Sequence, residues 1–207
     1  MSMSAADVVV IGGSAGGIKA LKSIFETLEN ISDRVLCVVL HRAPQYSGLV
    51  QVLQGYTALP VHEPSTSPWA CPSGAVTVAP AGYHLLLGND RILSKEPQTP
   101  VEQYETGPGV RAHLTLDAPV GYSRPSIDVV FSSAAQLVNS VTAVLLSCAS
   151  DDGARGCDAV KAAGGRVVLQ DPDSCEAPIA VNAAMRRVVP DHVADPFGIG
   201  RWLSRSG

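Results

Sequence analysis

The run Val8-Val9-Val10-Ile11, closing on Gly12-Gly13-Ser14-Ala15-Gly16-Gly17, constrains this chain more than any other feature. Four consecutive β-branched residues suit a strand buried on both faces, as in a parallel sheet covered on each side. Beyond the glycines, Ile18, Leu21, Ile24, Phe25 and Leu28 recur at helical spacing. A second apolar run, Val35 to Leu40, leads directly into His41. Strand, helix, strand in this order predicts a βαβ unit with two parallel strands.

Further along, Ser126 to Val138 reads as a helix with Ser126 as its N-cap, and Val141 to Leu146 as a strand. Asp152 to Ala163 reads as a helix closed by Gly164-Gly165, and Arg166 to Gln170 as a strand. Pro178 to Arg187 and Pro196 to Leu203 are the last helical candidates. The middle departs from this alternation. Ala75 to Ala79 and Tyr83 to Leu87 read as short strands, with Arg91 to Ser94 returning after the turn Gly88-Asn89-Asp90. Together they predict a small antiparallel excursion at the sheet edge, followed by a loop from Glu96 to Tyr122. The expected fold is α/β: a doubly wound, mostly parallel sheet with helices on both faces and a small antiparallel hairpin, forming a single domain over 1–207.

Composition narrows the function classes. A net charge of −4 offers no basic stripe for nucleic-acid phosphates. No stretch approaches the roughly 18 apolar residues of a membrane span, and the start carries neither the charges nor the apolar run of a signal peptide. A cytoplasmic protein is expected. The five cysteines are scattered, odd in number and never in a C-x-x-C pair, which reads as reduced, mostly packed thiols, with neither a disulfide frame nor a zinc site. No cofactor or metal is implied.

The glycine loop is where chemistry enters. Read as G-x-S-x-G, it sets Ser14 on a tight strand-to-helix turn with its hydroxyl exposed. The helix N-terminus behind it offers free N–H groups to an oxyanion. A dinucleotide fingerprint fails because Ser14 takes the place of the second glycine, and a P-loop fails because Ile18 follows Gly17. A turn without chemistry is the remaining competitor. His41, at the carboxyl end of the next strand, stands where open α/β sheets gather their functional groups, and is a candidate general base. Val141 to Leu146 leads through Ser147-Cys148-Ala149-Ser150 to Asp151-Asp152, and either aspartate could orient the imidazole or simply cap a helix. The chain order Ser, His, Asp differs from that of α/β-hydrolases. His62, His84, His113 and His192 lack metal-ligand spacing and read as structural or solvent-facing, and Cys148 reads as core.

The chain resembles the catalytic domain of the chemotaxis protein-glutamate methylesterases. The resemblance is carried by Ile11-Gly12-Gly13-Ser14-Ala15-Gly16-Gly17-Ile18, by His41 with Pro44 nearby, and by Val78-Ala79-Pro80-Ala81-Gly82-Tyr83-His84-Leu85. It continues in Arg124-Pro125-Ser126-Ile127-Asp128-Val129-Val130-Phe131, Asp152-Gly153-Ala154-Arg155-Gly156 and Gln170-Asp171-Pro172-Asp173-Ser174-Cys175, in the family's order. It implies Ser14 as nucleophile, His41 as base and Asp152 as the acid of a triad. It further implies an acyl-enzyme route on glutamate methyl esters of methyl-accepting chemoreceptors, with deamidation of selected glutamines. The sequence departs from the family's pattern in Ala15 after the expected nucleophile and in Cys148-Ala149-Ser150-Asp151 before the expected acid, and no receiver domain is expected ahead of Val8. Those changes leave two rivals: a degenerate domain that binds a signalling partner without turnover, and a serine hydrolase for another ester or amide.

Overall fold

A computed structural model describes residues 7–43, 48–89, 109–137 and 140–205. Its centre is a seven-stranded sheet in the order β10-β9-β8-β1-β2-β5-β3, with every pairing parallel. The strands are β1 (Val8–Gly13), β2 (Val35–Leu40), β3 (Val61–His62), β5 (Ala75–Val78), β8 (Val141–Leu145), β9 (Arg166–Gln170) and β10 (His192–Ala194). All residues of β1 and β2 are buried, as the unbroken apolar runs require of strands covered on both faces. Alternate side chains serve two cores: Val8 and Val10 enter one, Val9 and Ile11 the other.

The second core is closed by α1 (Gly17–Thr27), α2 (Leu49–Gln54) and α6 (Pro196–Arg205), through Leu21, Ile24, Leu53 and Ile199. Ile18, which fits the helical period of α1, is nonetheless 43% exposed beside the glycine turn. The first core is closed by α3 (Ile127–Ala134), α4 (Ala154–Ala162) and α5 (Ile179–Met185), together with a small second sheet. Helices on both faces of a parallel sheet make the architecture doubly wound, as the alternation of elements predicts.

The middle of the chain corrects the sequence reading. Ala75–Val78 belongs to the parallel sheet, between β2 and β3, because all four of its residues are buried. The antiparallel unit has three strands: β4 (Trp69–Ala70), β7 (Val110–Thr115) and β6 (His84–Asn89), with β7 between the others. Thus part of the expected loop, Val110–Thr115, is a strand. Its alternation buries Val110 and Ala112 while Arg111 and His113 are half-buried. The expected return strand at 91–94 lies outside the described residues. His62 lies on β3 and His113 on β7. Four of the five cysteines are buried and Cys175 is half-buried.

Two contacts decide where α3 sits. Gly12 lies beneath it, and a β-carbon there would fall 2.3 Å from Ile127 Cγ2, so only glycine lets the helix approach β1 so closely. At the helix starts, two aspartates exchange caps. Asp128, in the first turn of α3, accepts from the backbone N–H groups of Gly153 (2.9 Å) and Gly156 (2.8 Å) at the start of α4. Asp152, immediately before α4, accepts from Ile127 N (2.8 Å) and Asp128 N (2.9 Å) at the start of α3. Each carboxylate satisfies orphan donors of the other helix and meets its dipole. Arg155 also donates to Asp128, at 3.0 Å, but its largely exposed side chain adds little. Asp128→Ala leaves buried donors of α4 unpaired and is expected to cost about 2 kcal/mol of stability, read as a lowered urea midpoint with unchanged m-value.

Candidate active site

The carboxyl ends of β8, β1 and β2 lie side by side, and the chain builds one flank of the sheet beyond β1 (β2, β3, β5) before crossing to build the other (β8, β9, β10). This is the switch point at which doubly wound sheets open a crevice. Ser14 follows β1, His41 follows β2, and Asp152 stands beyond β8.

Ser14 is held by its backbone. Its N–H donates to Ser147 O at 2.9 Å, and its carbonyl accepts from Gly17 N at 2.9 Å. The tight turn requires Gly16, whose φ of 77° lies in the left-handed region. Gly16 is also the N-cap of α1 and supplies no side-chain cap, so the first-turn N–H groups behind Ser14 are left without one. Beside Ser14 lies a hollow of about 380 Å³ lined by Ile18, Lys19, Lys22 and Tyr56.

His41 N donates to Gly13 O at 3.2 Å, continuing the β1–β2 ladder one step past the strands and bringing His41 opposite Ser14. Its ring lines an open cavity of about 440 Å³ with Arg42, Tyr122, Ser123 and Arg124. The ring meets Asp152 through Nε2, which lies 2.7 Å from Oδ2. Because the carboxylate only accepts, Nε2 carries a proton and Nδ1 is the nitrogen left for base chemistry. Around Nδ1 stand Ser123 Oγ at 3.4 Å and Cys148 Sγ at 3.9 Å. Among the described residues no hydrogen bond joins Ser14 Oγ to the ring; the backbone link of His41 is to Gly13, one residue before Ser14.

Asp152 is 4% exposed and surrounded by donors. Beyond His41 and the two N–H groups of α3, Ser126 Oγ donates to Oδ1 at 2.9 Å. Burial alone would raise this carboxyl, but the hydrogen bonds from His41, Asp128 N, Ile127 N and the Ser126 hydroxyl hold its pKa below the ordinary value. Burial likewise opposes charge on His41, yet Asp152 and the Cys148 sulfur raise its pKa to about 9. Asp152 therefore combines the two roles the sequence left open: it caps a helix, though α3 and not its own, and it orients the imidazole.

Cys148, expected in the core, is fully buried there and also turns its sulfur toward His41 Nδ1. Nothing in the one-dimensional pattern marks it, because the contact spans 107 residues. His84 was equally quiet in the sequence. It is 1% exposed and links the segment before α3 to the small sheet, accepting from Ser126 N at 3.3 Å through Nδ1 and donating from Nε2 to Ala118 O at 3.1 Å. Gln170 supports the loop before Asp152 by accepting from Ser147 N at 2.9 Å. Among the described residues there is no group of three or more His, Cys, Asp or Glu side chains placed to hold a metal ion, and no helix long and apolar enough to cross a membrane.

Comparison with known proteins agrees with this architecture. Residues 9–203 match the family model described as CheB methylesterase. A relative from Leptospira interrogans, provisionally named for protein-glutamate methylesterase and protein-glutamine glutaminase activities, is 31% identical over 189 residues, covering 90% of this chain and 88% of its own length. Protein-glutamate methylesterase/protein-glutamine glutaminase 1 of Cupriavidus metallidurans is 32% identical over 174 residues, which are 84% of this chain but 44% of that protein. The chain thus corresponds to under half of the longer relative. The crystal structure of the Thermotoga maritima CheB methylesterase catalytic domain superposes with a TM-score of 0.81 over 99% of this chain and 100% of that one, at 23% identity, and so shares its fold. With its sequence matched from the first strand to the last helix, this chain belongs to the CheB methylesterase family.

Proposed function

We propose that this chain hydrolyses methyl esters of glutamate side chains on chemoreceptors, and deamidates glutamine side chains there by the same route, using Ser14, His41 and Asp152. The observation that carries the reading is the buried Asp152 carboxylate on His41 Nε2, which leaves Nδ1 as the base beside the Ser14 turn. Family membership, and the names of relatives such as that from Cupriavidus metallidurans, support the ester and amide substrates.

In this mechanism Ser14 Oγ attacks the side-chain carbonyl as its proton passes to His41 Nδ1. The N–H groups of Ile18 and Lys19 in the first turn of α1, which no side chain caps, stabilise the tetrahedral oxyanion. Nδ1 then protonates the departing methanol, or ammonia for a glutamine, leaving an acyl-Ser14. Water, deprotonated at Nδ1, attacks the acyl carbon and releases glutamate and free Ser14. Asp152 stabilises the imidazolium formed in each half-reaction without taking its proton. The Ser14–His41 hydrogen bond forms as substrate fills the crevice, since such contacts commonly tighten only in the loaded enzyme. We include 1–207 in this reading as one catalytic unit.

Methanol release from methylated chemoreceptor is expected from the wild type and is expected to fall by about 10⁴-fold or more in Ser14→Ala. Absence of release from a folded wild-type protein would favour the partner-binding rival. Asp152→Asn is expected to lower kcat by about 10³–10⁴-fold, with KM little changed, because the wrong tautomer is then held. The pH profile follows from His41. Its raised pKa keeps the ring protonated at neutral pH, so kcat/KM should climb with pH and reach half its maximum near pH 9, measured as initial rates of ester hydrolysis.

A further inference from the structure

With Nε2 engaged by Asp152, everything asked of His41 as a base falls on Nδ1. Cys148 Sγ lies 3.9 Å from that nitrogen and 3.4 Å from Ser150 Oγ. The sulfur is held in place by its own backbone: Cys148 N donates to Ala177 O at 2.9 Å, and Cys148 O accepts from Ala180 N at 3.3 Å. The residue is 0% exposed, so substrate cannot reach it and it is no second nucleophile. A buried thiol ordinarily stays neutral, because desolvation opposes the thiolate. Cys157 shows this in the next helix, where burial drives its pKa far upward.

We propose that Cys148 is a positioning residue that shares one proton with His41, existing as a thiolate beside an imidazolium and so withholding the base from Ser14 until the pair loses that proton. The transfer is balanced within the pair: the Sγ–H bond breaks, the Nδ1–H bond forms, and one negative and one positive charge face each other. The inference rests on the reading of His41 as the base. Titration leans the same way. Burial opposes the thiolate, yet His41 and Ser150 bring the Cys148 pKa below its ordinary value, while His41 itself rises.

The other charges around the pair do not replace this partner. Asp152 faces the opposite ring nitrogen. Arg42 is engaged by Glu63 and by Ala79 O. Arg124 Nη1 donates to the carbonyls of Leu116 and Asp117, each at 3.0 Å. Asp151 precedes Asp152 on an exposed turn, and Tyr122 lines the outer cavity. Ser123 reaches Nδ1 with a hydroxyl that does not ionise in this range.

The test compares wild type with Cys148→Ala and Cys148→Ser by three titrations: thiolate ultraviolet absorbance, the His41 imidazole by NMR, and the pH–rate profile of ester hydrolysis. A thiolate signal at neutral pH that both variants lose is expected. So is a His41 titration displaced to lower pH in both variants, and an acid limb that moves with it. Neutral-pH turnover should rise about tenfold for each unit of displacement. Serine keeps a polar atom but cannot ionise here, so its matching alanine separates charge from packing. Absence of the thiolate signal, or a His41 titration that neither variant moves, would overturn the ion pair. An inactive wild type would count against the esterase reading, and the two spectroscopic titrations then decide the ion pair by themselves.

Discussion

The Asp152 carboxylate is the constraint on which the rest of this site depends. A nearly buried charge is costly unless each lone-pair direction meets a donor. Here four donors converge on it: the His41 ring, two backbone N–H groups of α3 and the Ser126 hydroxyl. Removing the charge would disturb a helix start and an imidazole together, so the geometry at His41 and the local fold share one interaction. The sign of its pKa shift agrees. A carboxyl held below its unfolded value contributes stability at neutral pH, and that contribution is lost as the pH falls through the folded value.

The neighbouring features secure this carboxylate. Gly12 lets α3 descend onto β1, which brings the α3 N-terminus to Asp152. Asp128 returns the cap to α4 and fixes the turn that carries Asp152. Ser147, just after β8, accepts from Ser14 N through its carbonyl and donates through its own N–H to Gln170, coupling the Ser14 turn to the loop that carries Asp152. The three strand ends are thus joined by backbone and buried polar contacts, which hold a site more closely than side-chain packing alone. The small antiparallel sheet contributes from the side: His84 anchors both Ser126 and the segment that carries Ser123 to the His41 ring.

The parallel strands were legible because a strand covered on both faces must be largely apolar; β1 and β2 follow that rule throughout and β9 in its centre, Val167 to Leu169, all within two residues of the expected ends. The Ser126 cap was legible for a similar reason, since a hydroxyl before an apolar helical run has a local purpose, and Ser126 Oγ does accept from Val129 N at 3.4 Å. The middle was less readable. Ala75–Val78 is four residues long, and a run so short carries no indication of which sheet it joins. β7 lies behind a long polar stretch, and its pairing with β6 is a tertiary choice.

The alternating architecture, and the delivery of Ser14 and His41 to one edge of the sheet, could be read from the amino-acid order alone, because strand burial and turn chemistry are local and are written in consecutive residues. That order left Asp151 and Asp152 unresolved until a family resemblance favoured the second. It took the packed molecule to fix which nitrogen of His41 faces Asp152, that Asp152 caps a helix other than its own, and that Cys148 stands beside the other nitrogen. Each of those facts depends on groups far apart in the chain, whose distances are set by how helices and sheet pack and by no pattern along the sequence.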